Sequence, residues 1–274
     1  MIGIIGFGEI GQSVDRVYKL SNIKAIINDP FKGLNESVSN CDIINICIPF
    51  FGFDQFKECL LNIDKRDDVI FIIHSSMPMG TLNELQKIIS NVLVASPVRG
   101  VHPNLVEGLL TFEKYIGFTD KYYEDKILIK KVEDHLKMIN MTSVVCRSNE
   151  AELAKIMSTT LYGLNIAAVE DIGQMCDHYK IDFDKVYTQW QRNYNEGYEK
   201  LGKPNVRRPV LTRIPNKQKV IAGHCVVPNS VILKTIEPQN VTTHMADFVL
   251  RYSNEASRVH VAKKEGDNND SRFN

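Results

Sequence analysis

The chain has 274 residues, enough for one large domain or two, and 43% of them are apolar, which suffices for a core. Its 33 basic residues equal its 33 acidic ones, so charge gives no reason to expect nucleic acid or an anionic membrane as partner. No apolar run approaches the roughly 20 residues that cross a bilayer, and six scattered cysteines without a CxxC pair read as reduced thiols of a cytoplasmic protein, not as a disulfide or metal framework.

From residue 1 to about 147, short β-rich runs alternate with amphipathic stretches. Strands are predicted at 1–5, 23–28, 42–48, 68–74 and 92–96, with a later pair near 115–118 and 142–146. Helical patterns fill 10–20, 54–61 and 82–90. Strand–helix alternation implies βαβ units and a mainly parallel sheet. From 149 to 179 one helical pattern runs nearly unbroken, with Asn149 as a plausible N-cap and Glu150 and Glu152 suited to the first turn. A second helix is expected at 183–201, then a basic stretch at 202–219, then helical patterns near 230–236 and 243–262. The expected division is an α/β Rossmann domain over 1–148, an all-helical dimerisation and substrate domain over 149–263, and a polar, disordered tail over 264–274.

The turn Gly6-Phe7-Gly8-Glu9-Ile10-Gly11 follows a buried-type strand and opens a helix, the context a dinucleotide-binding glycine motif needs. The first glycine permits the tight turn, the second lets the backbone approach a pyrophosphate, and the third lets helix pack closely on strand. Asp29 stands 18 residues beyond Gly11, at the end of the second strand. An acid there accepts ribose hydroxyls and repels a 2′-phosphate, which favours NAD over NADP. A plain glycine turn with a surface aspartate is the bland alternative.

Further candidates cluster at strand ends. Cys47, Ile48 and Pro49 close the third strand, with Cys47 read as core or cofactor lining rather than reactive thiol. Ser75 and Ser76 close the fourth, where their hydroxyls either touch nicotinamide and substrate or cap the next helix. After the fifth strand Arg99 is suited to clamp an anion, and His102 either moves a proton or is structural. Lys155, beside the apolar face of the long helix, is either a base with a lowered pKa or a snorkelling edge residue. Cys225 follows a glycine near a helix start, which suits an activated thiol or a buried one. The basic stretch with Arg207, Arg208 and Arg213 either receives an anionic substrate or is a solvated loop.

With these stretches in place, residues 1 to about 235 resemble the nucleotide-sugar dehydrogenases, such as the UDP-glucose and UDP-N-acetylmannosamine dehydrogenases. The likeness rests on the glycine turn, 41–49, Ser75-Ser76-Met77-Pro78-Met79-Gly80-Thr81, Ser96-Pro97-Val98-Arg99-Gly100, Ala151-Glu152-Leu153-Ala154-Lys155 and Gly223-His224-Cys225. It implies an NAD-dependent oxidoreductase acting on a small anionic, sugar-like substrate, homodimeric through its helical domain. It further implies that Cys225 takes an aldehyde as a thiohemiacetal while Lys155 stabilises oxyanions. Ser76, Thr159 and Asn229 stand where the family has threonine, asparagine and aspartate, and Val98 replaces a glutamate that transfers protons. Arg99, His102, His224 and Arg208 are the expected substrate-binding residues. The family's third, nucleotide-holding domain has no counterpart here. The chain is also similar to β-hydroxyacid dehydrogenases of the 6-phosphogluconate type, which implies a two-electron reaction using Lys155 and no cysteine. A protein that binds NAD without turnover is the third expectation.

Overall fold

The computed structural model describes residues 1–100, 104–215, 220–221, 225–236 and 239–253. Contacts divide it into one unit through Lys155 and a second from Ile156. The first unit holds an eight-stranded sheet: β1 (Ile2–Ile5), β2 (Ile26–Asp29), β3 (Leu34–Asn35), β4 (Ile43–Ile46), β5 (Ile70–Ile73), β6 (Val92–Ala95), β7 (Lys114–Phe118) and β8 (Ser143–Arg147). Their order across the sheet is β3-β2-β1-β4-β5-β6-β7-β8. Strands β2, β1, β4, β5 and β6 are mutually parallel, β3 and β7 each run antiparallel to the neighbour before them, and β8 is parallel to β7. The fold is a Rossmann-type α/β sheet. Its strand order reverses at β1, and the crevice at the carboxyl ends of β1 and β4 is where such sheets take ligands.

Isoleucine- and valine-rich runs make these strands because both faces are covered. Residues alternate between two cores. Ile43, Ile70, Ile72 and Val94 face one, while Ile44, Ile46, Phe71, Ile73, Leu93 and Ala95 face the other. The first core is closed by Val14, Val17 and Tyr18 of α1 (Glu9–Leu20), Leu105 and Leu109 of α4 (Leu105–Thr111), and Val132 and Leu136 of α5 (Lys126–Met138). The second is closed by Phe56 and Leu60 of α2 (Phe53–Leu61) and Leu82 and Leu85 of α3 (Thr81–Gln86).

Helix α6 (Ser148–Tyr179) belongs to the first unit through Lys155 and to the second from Ile156. It begins at Ser148, so Asn149 lies inside its first turn and is not the N-cap; the Glu150 carboxylate accepts the Arg147 amide at 2.7 Å instead. The described secondary structure of the second unit is helical. A π-helical turn (Asp184–Thr188) leads into α7 (Gln189–Lys200), followed by α8 (Val226–Leu233) and α9 (Gln239–Arg251). Ala167, Ile214, Ile221, Val226, Val227, Val249 and Leu250 form its core. Helix α8 starts four residues before the predicted 230, because Pro228 sits in its first turn, where a missing N–H costs nothing. The expected tail at 264–274 lies outside the described residues. Among the described residues, no helix is long and apolar enough to cross a membrane.

Candidate functional site

The three glycines of the first turn each meet a different constraint. Gly6 has φ +84°, and a Cβ there would come within 2.8 Å of Ile48. A Cβ on Gly11 would lie 2.0 Å from the Gly6 carbonyl oxygen, so only glycine lets α1 close on β1. A Cβ on Gly8 would meet nothing within 4 Å. Of the three glycines of this turn, Gly8 is the one with open space beside it. Gly8 is also the N-cap of α1, whose first turn no side chain caps. Its orphan amides and helix field suit an anion. Asp29 is buried, and its carboxylate accepts the Phe7 amide at 2.7 Å, which ties the end of β2 to the glycine turn. Lys32 donates to the Phe7 carbonyl at 2.7 Å. Glu9 and Ile10 open α1 behind the turn. These residues fit a dinucleotide: open space at Gly8, closure at Gly6 and Gly11, and an acid at the ribose end.

The carboxyl ends of the neighbouring strands carry the next groups. Ser75, just past β5, donates to the Ile48 carbonyl at 2.5 Å, with Pro49 following. Neither Ser75 nor Ser76 caps α3, which starts at Thr81 with Gly80 as N-cap. The half-buried Ser76 is next in line. Cys47 is buried beneath the turn, and burial pushes its thiol up to about 12, so it is a poor nucleophile. It belongs to the first hydrophobic core.

A buried polar chain underlies these strand ends. The Asn45 amide nitrogen donates to Tyr18 Oη (2.9 Å) and the Gly3 carbonyl (3.3 Å). Its oxygen faces His74 Nε2 at 2.9 Å. His74 Nδ1 lies between the Ser96 carbonyl at 3.1 Å and Lys114 Nζ at 3.2 Å. Lys114 also donates to the carbonyls of Ser96 (2.7 Å) and Pro97 (3.2 Å). Burial, then the neighbouring cations Lys155 and Arg99, bring the Lys114 amine down to about 7, with Cys47 opposing. Burial likewise holds His74 well below its ordinary value. Tyr18 Oη completes the chain to His135 Nε2 at 2.8 Å.

Lys155 lies half-buried on the last turn of α6 that belongs to the first unit, and Arg99 is exposed with its guanidinium over the rings of Phe112 (5.1 Å) and Tyr115 (5.6 Å). Val98 is buried in the core. Glu152 does not serve its own helix: its carboxylate accepts the amides of Gly80 (2.7 Å) and Leu82 (2.9 Å) and so caps α3. A depression of about 710 Å³ lined by Lys126, Lys130, Asp134 and His135 opens beside Met1 and Asp42, at the opposite edge of the sheet, and belongs to no strand end described above.

In the second unit Cys225 is the N-cap of α8 and half-buried. Asn229, one turn on, is 2% exposed, and its amide nitrogen has no hydrogen-bond partner. Thr159 is half-buried on α6. Arg208 stacks over Tyr194 at 4.0 Å and exchanges two backbone hydrogen bonds with the Asn195 side chain. Arg213 is bound by Glu170 and Asp177, each at 2.8 Å, so its charge serves the fold. His102 and His224 lie outside the described residues. Among the described residues no cluster of three histidine, cysteine or acidic side chains could hold a metal ion.

No family model matches the chain. UDP-N-acetyl-D-mannosamine dehydrogenase of Methanococcus maripaludis (strain C7) is 20% identical over 265 residues, covering 91% of this chain and 53% of its own. The solved UDP-glucose dehydrogenase of Pyrobaculum islandicum superposes with a TM-score of 0.69 at 13% identity, over 96% of this chain and 70% of that one. The chain resembles the nucleotide-sugar dehydrogenases. It spans about half the length of the curated relatives it matches. The 3-hydroxyisobutyrate dehydrogenase of Mycobacterium tuberculosis shares the fold as well, with a TM-score of 0.63 at 12% identity over 92% of each chain.

One residue of the first unit escaped the sequence reading: Lys114 opens β7, one position before the predicted strand start, and only an isolated lysine at the head of an apolar strand signals it. Glu152, read as suited to the first turn of its own helix, instead has its partners about 70 residues upstream.

Proposed function

We propose that the chain is an NAD-dependent oxidoreductase that acts at an alcohol or aldehyde carbon of a small anionic, sugar-like substrate. The observation that carries this reading is the division of labour among Gly6, Gly8 and Gly11, with Asp29 fixed against the turn through the Phe7 amide. NAD, when bound, supplies the hydride acceptor. Ile48, Pro49 and Ser75 line its site, Ser76 hydrogen-bonds the reacting oxygen, and Lys155 holds or takes the proton there. Arg99, steadied on two rings, orients an anionic group, with His102, His224 and Arg208 as further substrate contacts. Cys225 serves where an aldehyde must be trapped, and Thr159 and Asn229 take the roles of the residues they replace in the family resembled. We assign the working form as a cytoplasmic homodimer built through the helical unit, on whose surface Tyr162, Met175, Tyr179 and Trp190 are exposed apolar residues.

One observation favours a second reading, a two-electron enzyme of the β-hydroxyacid type using Lys155 without Cys225. Asn229 is an amide and cannot accept a proton from a hydrolytic water, so the thioester-opening half of a four-electron oxidation lacks a carboxylate at that position. Assay of Cys225→Ser and Lys155→Ala for NADH formation on nucleotide sugars and hydroxy acids separates the readings. Loss with both variants supports the cysteine route; loss at Lys155 alone supports the second. If no substrate yields NADH while NAD still raises the melting temperature, the chain is a binding protein and both fail.

A further inference from the structure

Lys114 is 4% exposed, yet none of the ionisable groups that act on it is a carboxylate. Those groups are Cys47 at the end of β4, His74 at the end of β5, Arg99 in the loop after β6 and Lys155 on α6. A structural lysine is ordinarily buried against an acid, because an uncompensated buried charge is costly. Here it donates instead to two carbonyls, of Ser96 and Pro97, with His74 Nδ1 as the third contact at 3.2 Å. With His74 as its Nε2–H tautomer these three acceptors match the three N–H bonds of an ammonium group. A neutral amine has two N–H bonds and a lone pair, so in that arrangement one of the three contacts is surrendered when the proton leaves.

The three acceptors belong to two different strand ends. Ser96 and Pro97 begin the segment that carries Arg99, and His74 precedes Ser75 and Ser76. We propose that Lys114 is a positioning residue for the crevice: its ammonium group adds a side-chain clamp to the bond from the Ser96 amide to the Ile73 carbonyl (2.7 Å) between the ends of β5 and β6, and loss of its proton releases that clamp. The clamp acts on Ser75, Ser76 and Arg99 without touching any ligand. Deprotonation also removes one of three positive charges, so the crevice binds anionic ligands less well as pH rises. Burial and the like charges of Lys155 and Arg99 set the transition near neutrality, with a midpoint of about 7. This consequence for ligands rests on the crevice being the cofactor site; the clamp itself does not.

Backbone amide and lysine Cε shifts of the labelled full chain, followed by NMR from pH 5.5 to 9.5, test it. The Lys114 Cε resonance, assigned by its loss in Lys114→Arg, is expected to titrate near 7, far below the ordinary value for a lysine. The amides of Ser75, Ser76 and Arg99 are expected to move with the same midpoint, and Lys114→Arg, which stays charged, to abolish that movement. A Lys114 midpoint above 9, or amides indifferent to it, overturns the clamp. If Lys114→Arg does not fold, Lys114→Gln is used, and the wild-type midpoints alone still decide. NADH titrated by fluorescence is expected to bind about five- to tenfold more weakly at pH 8.5 than at pH 6 in the wild type, and equally at both in Lys114→Arg. The same slope in both proteins overturns the ligand consequence. Absence of NADH binding at every pH refutes the cofactor reading and, with it, that consequence, while the NMR midpoints still decide the clamp.

Discussion

The Glu152 carboxylate, on helix α6, accepts the backbone amide of Gly80 at 2.7 Å and thereby caps a helix about 70 residues upstream. It is 3% exposed, and burial raises its pKa from 4.5 to about 7 against the two amide bonds that oppose the shift. Between those values the folded chain keeps a proton that the unfolded chain has lost. The stabilisation from this group is therefore complete below about pH 4.5 and is lost as pH rises to about 7. Glu152→Gln cannot titrate. The stability advantage of wild type over that variant should shrink between pH 4.5 and 7 by on the order of 3 kcal/mol. Urea denaturation at several pH values checks it; a constant difference would show that Glu152 titrates normally.

The glycine turn offers a paired test of folding against binding. Gly11→Ala puts a Cβ 2.0 Å from the Gly6 carbonyl, against backbone that cannot swing aside. It should lower stability by roughly 2 kcal/mol or more, as overpacking does. Gly8→Ala meets nothing within 4 Å, and its φ of −71° suits alanine. It should melt like wild type and bind NADH at least tenfold more weakly, because the methyl group occupies the approach reserved for phosphate. Equal NADH affinity in Gly8→Ala and wild type would mean that no dinucleotide lies over this turn.

Asp29 accepts the Phe7 amide, and in the proposed cofactor site it is the residue that would meet the ribose. Replacing it with asparagine keeps an oxygen for the Phe7 amide and removes the charge that repels a 2′-phosphate. Asp29→Asn should keep its melting temperature, bind NAD more weakly, and narrow the preference for NAD over NADP about tenfold. Isothermal titration with both cofactors measures the ratio; an unchanged ratio would assign cofactor choice to another residue.

The parallel sheet was legible because its strands are buried on both faces, so their apolar runs stand out between glycine and polar turns. Strand β3 was not. It is two residues long, Leu34 and Asn35, too short for an alternating pattern to show. Helix α4 was missed for a similar reason: it has only seven residues, and Gly108 admits close backbone approach from Arg99 and Gly100 instead of signalling a helix. At the site, residues whose work is done by local backbone geometry were readable, Gly6, Gly8 and Gly11 foremost. Lys114 and Glu152 act on partners distant in sequence, and no spacing rule reports such pairs. Arg213 was read with its stretch as either an anion contact or part of a solvated loop, and its ion pairs were not foreseen because its acids, Glu170 and Asp177, precede it by 43 and 36 residues.

The Arg213 contacts separate the basic stretch into parts with different work. Its guanidinium binds Glu170, which is fully buried, and a Cβ on Gly173 would lie 2.2 Å from its Nε, so the helix is cut away to admit it. Arg213→Met takes a guanidinium partner from a buried carboxylate and should cost about 3–5 kcal/mol. Adding Glu170→Gln removes the buried charge itself, so the double variant should be more stable than Arg213→Met alone. Arg208 differs: it lies on the rings of Tyr194 and Tyr198 with its backbone held by Asn195, so truncating its side chain should cost under about 1 kcal/mol. If Arg208→Ala melts normally and weakens substrate binding, the stretch contributes to the site through Arg208. If both single variants only destabilise, the whole stretch is structural. Chemical denaturation of the four proteins, with Arg208→Ala also assayed for KM, distinguishes these outcomes.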